Sequence, residues 1–242
     1  MQRKRVGELM DDPAIDPGEH EHALRGLNKI NRLLGVDRRL WRELQTCGEV
    51  AAQTVAHEGR RYLARSNGAV LDIGCGAGGF LGFVAARATG KESRLIGIDR
   101  SAFALHCARH WQSPDIMWMS GDAQRLPLAD NSVGVVTCSL FLHHFDEPEV
   151  IEVLREAGRV TSDAVIVADL VRSWPAWALT WIATRVVSRS RIFHVDGPRS
   201  VLAAYRPVEL IALSRRAGLA GARVQRTFPF RMILVWRKAS AA

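Results

Sequence analysis

The stretch that most constrains this chain is Val70-Leu-Asp-Ile-Gly-Cys-Gly-Ala-Gly-Gly-Phe80. A short apolar run leads into a glycine-rich turn, and an alanine-rich helical pattern follows. Gly74, Gly76 and Gly78 let the backbone bend sharply and approach a ligand with no Cβ in the way. A strand–turn–helix unit of this kind is where doubly wound α/β folds hold nucleotide-like ligands.

The alternation continues along the chain, which points to a parallel sheet. Strands are predicted near 69–73, 94–98, 116–119, 133–138, 163–169, 222–228 and 231–237. Helices are predicted near 79–89, 101–111, 147–160 and 207–217. Asp146-Glu-Pro-Glu149 reads as a capping box, and Pro207 with Gly218 bracket the last helix. Upstream, residues 1–15 read as a mobile arm. Asp16-Pro-Gly-Glu19 then caps a helix carrying Leu24, Leu27, Ile30 and Leu34 on one face, with Gly35 as its stop. Helical pattern resumes from about Asp37 to Ser66, with Gly48 as a break. Residues 1–66 are therefore expected to be an arm and helices covering the ligand site, and residues 67–242 the core.

Gly74, Gly76 and Gly79 also satisfy G-x-G-x-x-G, a dinucleotide fingerprint. Asp72 argues against that ligand, because a pyrophosphate would be repelled there while a cationic amine and sulfonium would be favoured. Asp99 ends the second strand about 20 residues after the turn, where an acid can accept both ribose hydroxyls. Asp122, after Gly121 and beside Ala123, is placed to take an adenine amino group.

These elements, in this order and spacing, resemble the class I S-adenosylmethionine-dependent methyltransferases of the small-molecule branch, type 11 or ubiquinone/menaquinone-biosynthesis-like. The resemblance covers residues 68 to 170. It implies a Rossmann-like seven-stranded methyltransferase sheet with N-terminal helices and a helical lid insertion. It places Asp72, Gly74, Gly76 and Gly78 around the methionine moiety, Asp99 on the ribose with Arg100 beside it, and Asp122 with Ala123 at the adenine. Ser139 and Leu140 would border the methyl-transfer cleft. His22, Arg25, Asn28 and Asn31 form a polar helix edge, and Arg25 is the candidate for the cofactor carboxylate because guanidinium pairs bidentately with carboxylate.

Leu140-Phe-Leu-His-His-Phe145 sets His143 and His144 at the mouth of the cleft. A phenol has a pKa of about 10, so its methylation benefits from a base, and histidine is the natural one near neutral pH. His143 is the first choice. His194 with Asp196 is a second pair, and Tyr205 a weaker candidate. Residues 171–205 form an insertion with Trp174, Trp177, Trp181, Arg185, Arg189 and Arg191. It reads as an extra core helix, a lid over an aromatic or lipid-like substrate, or a membrane-contact element.

The expected activity is O-methylation of a small phenolic or lipid-like acceptor in secondary metabolism, with C-methylation of a quinone precursor next. A nicotinamide oxidoreductase would want a catalytic Tyr-x-x-x-Lys pair, which is missing, and a non-catalytic cofactor-binding regulator would not need the histidines. No N-P-P-Y pattern follows the fourth strand, which lowers the odds of nucleic-acid base targets. The net charge of +8 is spread without a basic block, so nucleic acid is not an expected partner. Cys47, Cys75, Cys107 and Cys138 show no paired or metal-ligand spacing, so neither a disulfide nor a metal is expected, and a magnesium-dependent catechol mechanism has no support. With neither a signal-peptide pattern nor a long apolar span, the expected location is cytoplasmic.

Overall fold

The computed structural model describes residues 1–12, 14–52, 68–88, 94–187 and 190–239. The expected helical positions 53–66 and 89, and Arg189, lie outside them. Helices α1 (Pro17–Leu33) and α2 (Val36–Ala52) lead into β1 (Ala69–Ile73), α3 (Gly79–Ala85), β2 (Arg94–Asp99), α4 (Ala102–Trp111), β3 (Ile116–Ser120) and β4 (Val133–Ser139). There follow α5 (Glu147–Val160), β5 (Thr161–Leu170), α6 (Trp174–Val187), α7 (Arg191–Ala203), α8 (Pro207–Arg216), β6 (Arg223–Thr227) and β7 (Arg231–Arg237).

The strands form one sheet in the order β3-β2-β1-β4-β5-β7-β6, with β7 antiparallel to both neighbours. The order reverses between β1 and β4, so the loops after these two strands open a crevice at the sheet's carboxyl edge. Ligand-binding groups are concentrated there. One sheet face packs Leu71, Ile73, Val136, Val165 and Val167 against Ile151 and Leu154 of α5 and Leu210 of α8. The other packs Val70, Val135 and Ile166 against Leu40 and Leu44 of α2 and Leu81 of α3.

The expected strands and helices of the core all form, with ends shifted by a residue or two, except that α3 stops at Ala85, short of the expected 89. Asp16 caps α1 by accepting from Glu19 N at 2.9 Å, and Asp146 N donates to the Glu149 carboxylate at 2.7 Å. Three expectations upstream need correction. Gly48 does not break α2. Nor is α2 a cover: its buried Val36, Leu40, Leu44 and Cys47 belong to the sheet's core, at roughly 2 kcal/mol or more per buried leucine. The arm is also docked. Lys4 N donates to Leu202 O at 3.1 Å, Arg3 Nε to Ala203 O at 2.6 Å, and Leu9 N and Met10 N to the two oxygens of Asp196 at 2.8 and 3.0 Å. These partners lie on α7, within the insertion, so the arm's order rests on contacts distant in sequence.

The 171–205 insertion is a helix pair. Gly197 of α7 abuts Thr180 and Thr184 of α6, where a Cβ would come within 2.8 Å of Thr184 Cγ2. Buried Arg172 joins its two ends, donating to Ala204 O at 2.5 Å and to the Glu209 carboxylate at 2.6 Å. No helix among the described residues is long and apolar enough to cross a membrane.

Candidate active site

The turn after β1 is built from backbone that other residues rarely adopt. Gly74, Gly76 and Gly78 have φ of +65°, +51° and +73°, a region open to glycine at little cost. Gly74 N and Cys75 N both donate to Ile98 O, at 2.8 and 3.1 Å, which pins the loop to β2. A Cβ on Gly74 would overlap the Phe141 ring and one on Gly78 the Trp118 indole, while the space beside Gly76 is open. Asp99 faces this loop from the end of β2. Its Oδ2 accepts from Gly76 N at 2.7 Å and its Oδ1 from Ser101 N at 2.8 Å, so the carboxylate is oriented with lone pairs to spare. Arg100, next to it, is exposed.

Asp72 lies deeper than the sequence suggests. It is 2% exposed and its Oδ1 accepts from the Thr137 hydroxyl at 2.7 Å. Burial pushes its carboxyl up to about 7, against the lowering effect of the Thr137 hydrogen bond. It therefore supports the loop from beneath within the sheet.

Asp122 is exposed and its Oδ1 accepts from Gln124 N at 3.0 Å, while Ala123 is buried in the core. Ser139 ends β4 in a half-buried position. Leu140 carries the strain of this rim, with φ +51° in a non-glycine residue, fixed by its N–H donating to Ala168 O at 2.8 Å.

Arg25 is not brought to the glycine loop. Its guanidinium pairs with Glu21 at 2.8 Å and lies 4.2 Å over the Trp111 ring, because Glu21 is one helical turn away on the same face. Asn28 takes the place at the loop: a Cβ on Gly79 would come within 2.5 Å of its Oδ1. Asn31, a further turn along, has a buried Oδ1 with no hydrogen-bond partner. Their spacing of three along α1 was the available signal, and only the helix's orientation separates them from Arg25. Leu24 of α1 packs with Ala77 of the loop and with Ala104 and Cys107 of α4, while Ala23, Leu27 and Ile30 pack with Ile192 and Phe193 of α7. Leu24 thus packs directly on the loop, and the rest of the apolar face of α1 joins it to α7.

The histidines lie in a different chemical setting from the one expected. His143 is buried, and its Nδ1 donates to Asp169 Oδ1 at 2.8 Å. Its Nε2 faces Glu8 Oε1 at 3.7 Å. Burial alone would push its pKa down, but the Asp169 charge, the hydrogen bond donated to Asp169 and the nearby Glu8 carboxylate outweigh this and raise it to about 10. An imidazolium held this way holds its proton more firmly than a free imidazole. Glu8 is held at about 2, since the approach of His143 and the charge of His144 overcome the effect of burial.

His144 stacks on His143 with ring centroids 4.4 Å apart, its Nδ1 3.4 Å from Asp11 and its Nε2 4.0 Å from Glu8. Glu8, His143 and His144 bring one ligand atom each within 4.8 Å of one another. This corrects the expectation that no metal-ligand grouping exists: the residues lie too far apart in sequence for spacing to show it. Asp196 is occupied by the arm's backbone and does not support His194 as a base. Tyr205 is 1% exposed and donates to Phe145 O at 2.8 Å, with burial pushing its phenol up to about 12. All four cysteines are free.

Residues 70–164 match the family model described as a methyltransferase domain. A 102-residue stretch is 34% identical to the 2-phytyl-1,4-naphtoquinone methyltransferase of Synechococcus elongatus, covering 40% of this chain and 42% of the relative. An uncharacterised transposon protein of Streptomyces fradiae is 36% identical over 104 residues, 40% of this chain and 30% of the relative. The chain thus spans less than half the length of these curated relatives.

Among solved structures, an S-adenosylmethionine-dependent methyltransferase from Aquifex aeolicus shares the fold with TM-score 0.59 at 18% identity, covering 92% of this chain and 98% of that one. Human N-acetylserotonin methyltransferase, in complex with S-adenosylmethionine, gives 0.62 at 13% identity, over 93% and 57%. The left-handed glycines, the oriented Asp99 and the unpartnered Asn31 Oδ1 suit a nucleoside with a cationic amino-acid tail. Residues 70–164 thus carry a methyltransferase domain, set in the fold shared with solved S-adenosylmethionine-dependent methyltransferases.

Proposed function

We propose that this chain transfers a methyl group from S-adenosylmethionine to a small apolar acceptor, an aromatic or lipid-like molecule, by O-methylation in secondary metabolism. The observation that carries this reading is a glycine loop open beside Gly76 and packed at Ala77 by Leu24 of α1, the helix whose Leu27 and Ile30 pack with Ile192 and Phe193 of α7. A charged acceptor would lose its hydration there without compensation.

In this reading Gly74, Gly76 and Gly78 admit the cofactor's tail, Asn28 and Asn31 take its polar end, Asp99 accepts the ribose hydroxyls, and Asp122 with Ala123 bounds the adenine. When bound, the cofactor supplies an electrophilic methyl on a sulfonium. The chain's own contribution is to orient the acceptor in line and to exclude water, through α1, the arm and the α6–α7 pair. Ser139 and Leu140 form the rim nearest the acceptor. His143 and His144 hold the arm to the turn after β4 and act as positioning residues.

A second reading, C-methylation of a quinone-type acceptor, is favoured by the likeness to the naphtoquinone methyltransferase. The test is incubation with S-adenosylmethionine and a panel of phenols and hydroquinones. A mass gain of one methylene supports methyl transfer, and the NMR shift of the new methyl separates oxygen from carbon attachment. No transfer to any member, with cofactor bound, would overturn the acceptor class.

A further inference from the structure

We propose that Glu8, His143 and His144 form a binding site for one divalent first-row transition-metal ion, joining the N-terminal arm to the turn after β4. The inference stands independently of the methyl acceptor. Two imidazoles and one carboxylate are a ligand set suited to zinc, cobalt, iron or manganese, with further positions left for water or an oxygen ligand.

The geometry supports this in three ways. First, both Nε2 atoms turn to the same carboxylate, His143 at 3.7 Å from Oε1 and His144 at 4.0 Å from Oε2. Metal bonds to nitrogen and oxygen are about 2.0–2.2 Å, so two atoms on one ion stand roughly 3–4 Å apart. The observed separations are too long for hydrogen bonds and suit bridging through an ion.

Second, each imidazole has a carboxylate behind it. His143 Nδ1 donates to Asp169 at 2.8 Å, and His144 Nδ1 lies 3.4 Å from Asp11. Backing of this kind fixes the ring and directs the Nε2 lone pair to a metal. Glu8 is backed in turn by the Ser200 hydroxyl, which donates to Oε1.

Third, the charges favour a cation. Three carboxylates, from Glu8, Asp11 and Asp169, converge on two imidazoles. The nearby guanidiniums have other partners besides: Arg3 pairs with Asp146 and donates to His143 O, Arg5 pairs with Asp146 and Glu149 and donates to His144 O, and the buried Arg231 is near enough to Asp169 to feel its charge. An ion-pair lock accounts for His143 but leaves His144 with ion-pair approaches of 3.4 and 4.0 Å. A divalent ion would replace the proton on His143 Nε2 and engage all three groups, releasing that proton to solvent.

The experiment is titration of the chelator-treated full chain with cobalt(II), following the visible ligand-field bands, with zinc(II) as competitor. We expect one cobalt per chain, displaced by zinc, with affinity falling at least tenfold in both Glu8→Gln and His144→Ala. The exposed His106 and His110 stack 4.3 Å apart on α4 and are a competing surface chelate. The double variant His106→Ala/His110→Ala must therefore retain the bands. Circular dichroism without metal identifies a variant that fails to fold, and the other single variant then decides. Absence of ligand-field bands at saturating cobalt would overturn the proposal, as would bands abolished by the His106/His110 change and untouched by the other two.

Discussion

The Thr137 hydroxyl donates to Asp72 Oδ1 at 2.7 Å inside the sheet, where β1 and β4 pair residue 72 with residue 137. The pair lies under the glycine loop, and burial pushes the Asp72 carboxyl up from 3.8 to about 7. A carboxyl whose folded pKa exceeds its unfolded one favours folding fully below the unfolded value. That contribution is lost as pH rises through the folded value, because the native state binds the extra proton. Asp72→Asn removes the titration and keeps the shape. Measured by urea unfolding, the variant should gain on the wild type between about pH 4 and pH 8. The gain should be on the order of a few kcal/mol, at about 1.4 kcal/mol per unit of pKa. Parallel stability curves for the two proteins would show that Asp72 does not carry the effect.

The ring of Trp118 fills the space over both Gly78 and Gly97, the latter its direct partner in the β2–β3 ladder. Gly78→Ala should therefore fail twice: an L-residue is strained at φ +73°, and the new methyl displaces the indole. Backbone strain alone costs about 1–3 kcal/mol. We expect a lower thermal midpoint and at least a tenfold weaker calorimetric affinity for S-adenosylhomocysteine. Gly218→Ala is the control, since its φ is +88° but nothing lies within 4 Å of its Cβ. It should lose stability without weakening the ligand.

These glycines were legible in the sequence because turn chemistry is local, and the alternation of strands and helices is local too. Asp99 was legible for the same reason, being set by its distance from the turn. Arg25 and Asn28 were not separable, because they share one polar edge and only the docking angle of α1 decides which meets Gly79. Glu8 was invisible as a site residue. Residues 1–12 carry no periodicity, and their order comes from carbonyls and carboxylates on α7 and on the turn after β4. The setting of His143 was not legible either: its partner Asp169, at the end of β5, is adjacent in space and unrelated in sequence.

The arm yields its own prediction. Arg3 donates to Ala203 O and Phe145 O at 2.6 and 2.7 Å, and its guanidinium lies 4.1 Å over the Tyr205 ring. Hydrogen bonds from charged groups are worth about 1.5–3 kcal/mol each before compensation by water, so Arg3→Ala should lower stability by about 1–3 kcal/mol. It should also speed proteolysis within residues 1–12, while Arg3→Lys, with no planar fork, should rescue only part. Unchanged cleavage in Arg3→Ala would mean the arm is held by its other contacts, among them those to Leu202 and Asp196.

Along α6, Trp177 is half-buried with its ring edge-on to Trp174 at 6.3 Å, whereas Trp174 and Val186 are 63% and 80% exposed. An inserted helix with so apolar an outer face and a half-buried indole at its first turn suits the proposed role of bordering the acceptor. Trp177→Ala should raise the acceptor KM about tenfold, equivalent to about 1.4 kcal/mol of lost binding, and leave cofactor affinity within about twofold. Trp181, stacked under Arg185 at 3.9 Å on the exposed side, is the comparison. Its alanine variant should leave both constants unchanged in detergent-free buffer. If Trp177→Ala changed acceptor and cofactor constants equally and slightly, α6 would be packing rather than lid. If Trp181→Ala alone raised the acceptor KM, the outer face would be the one that meets substrate.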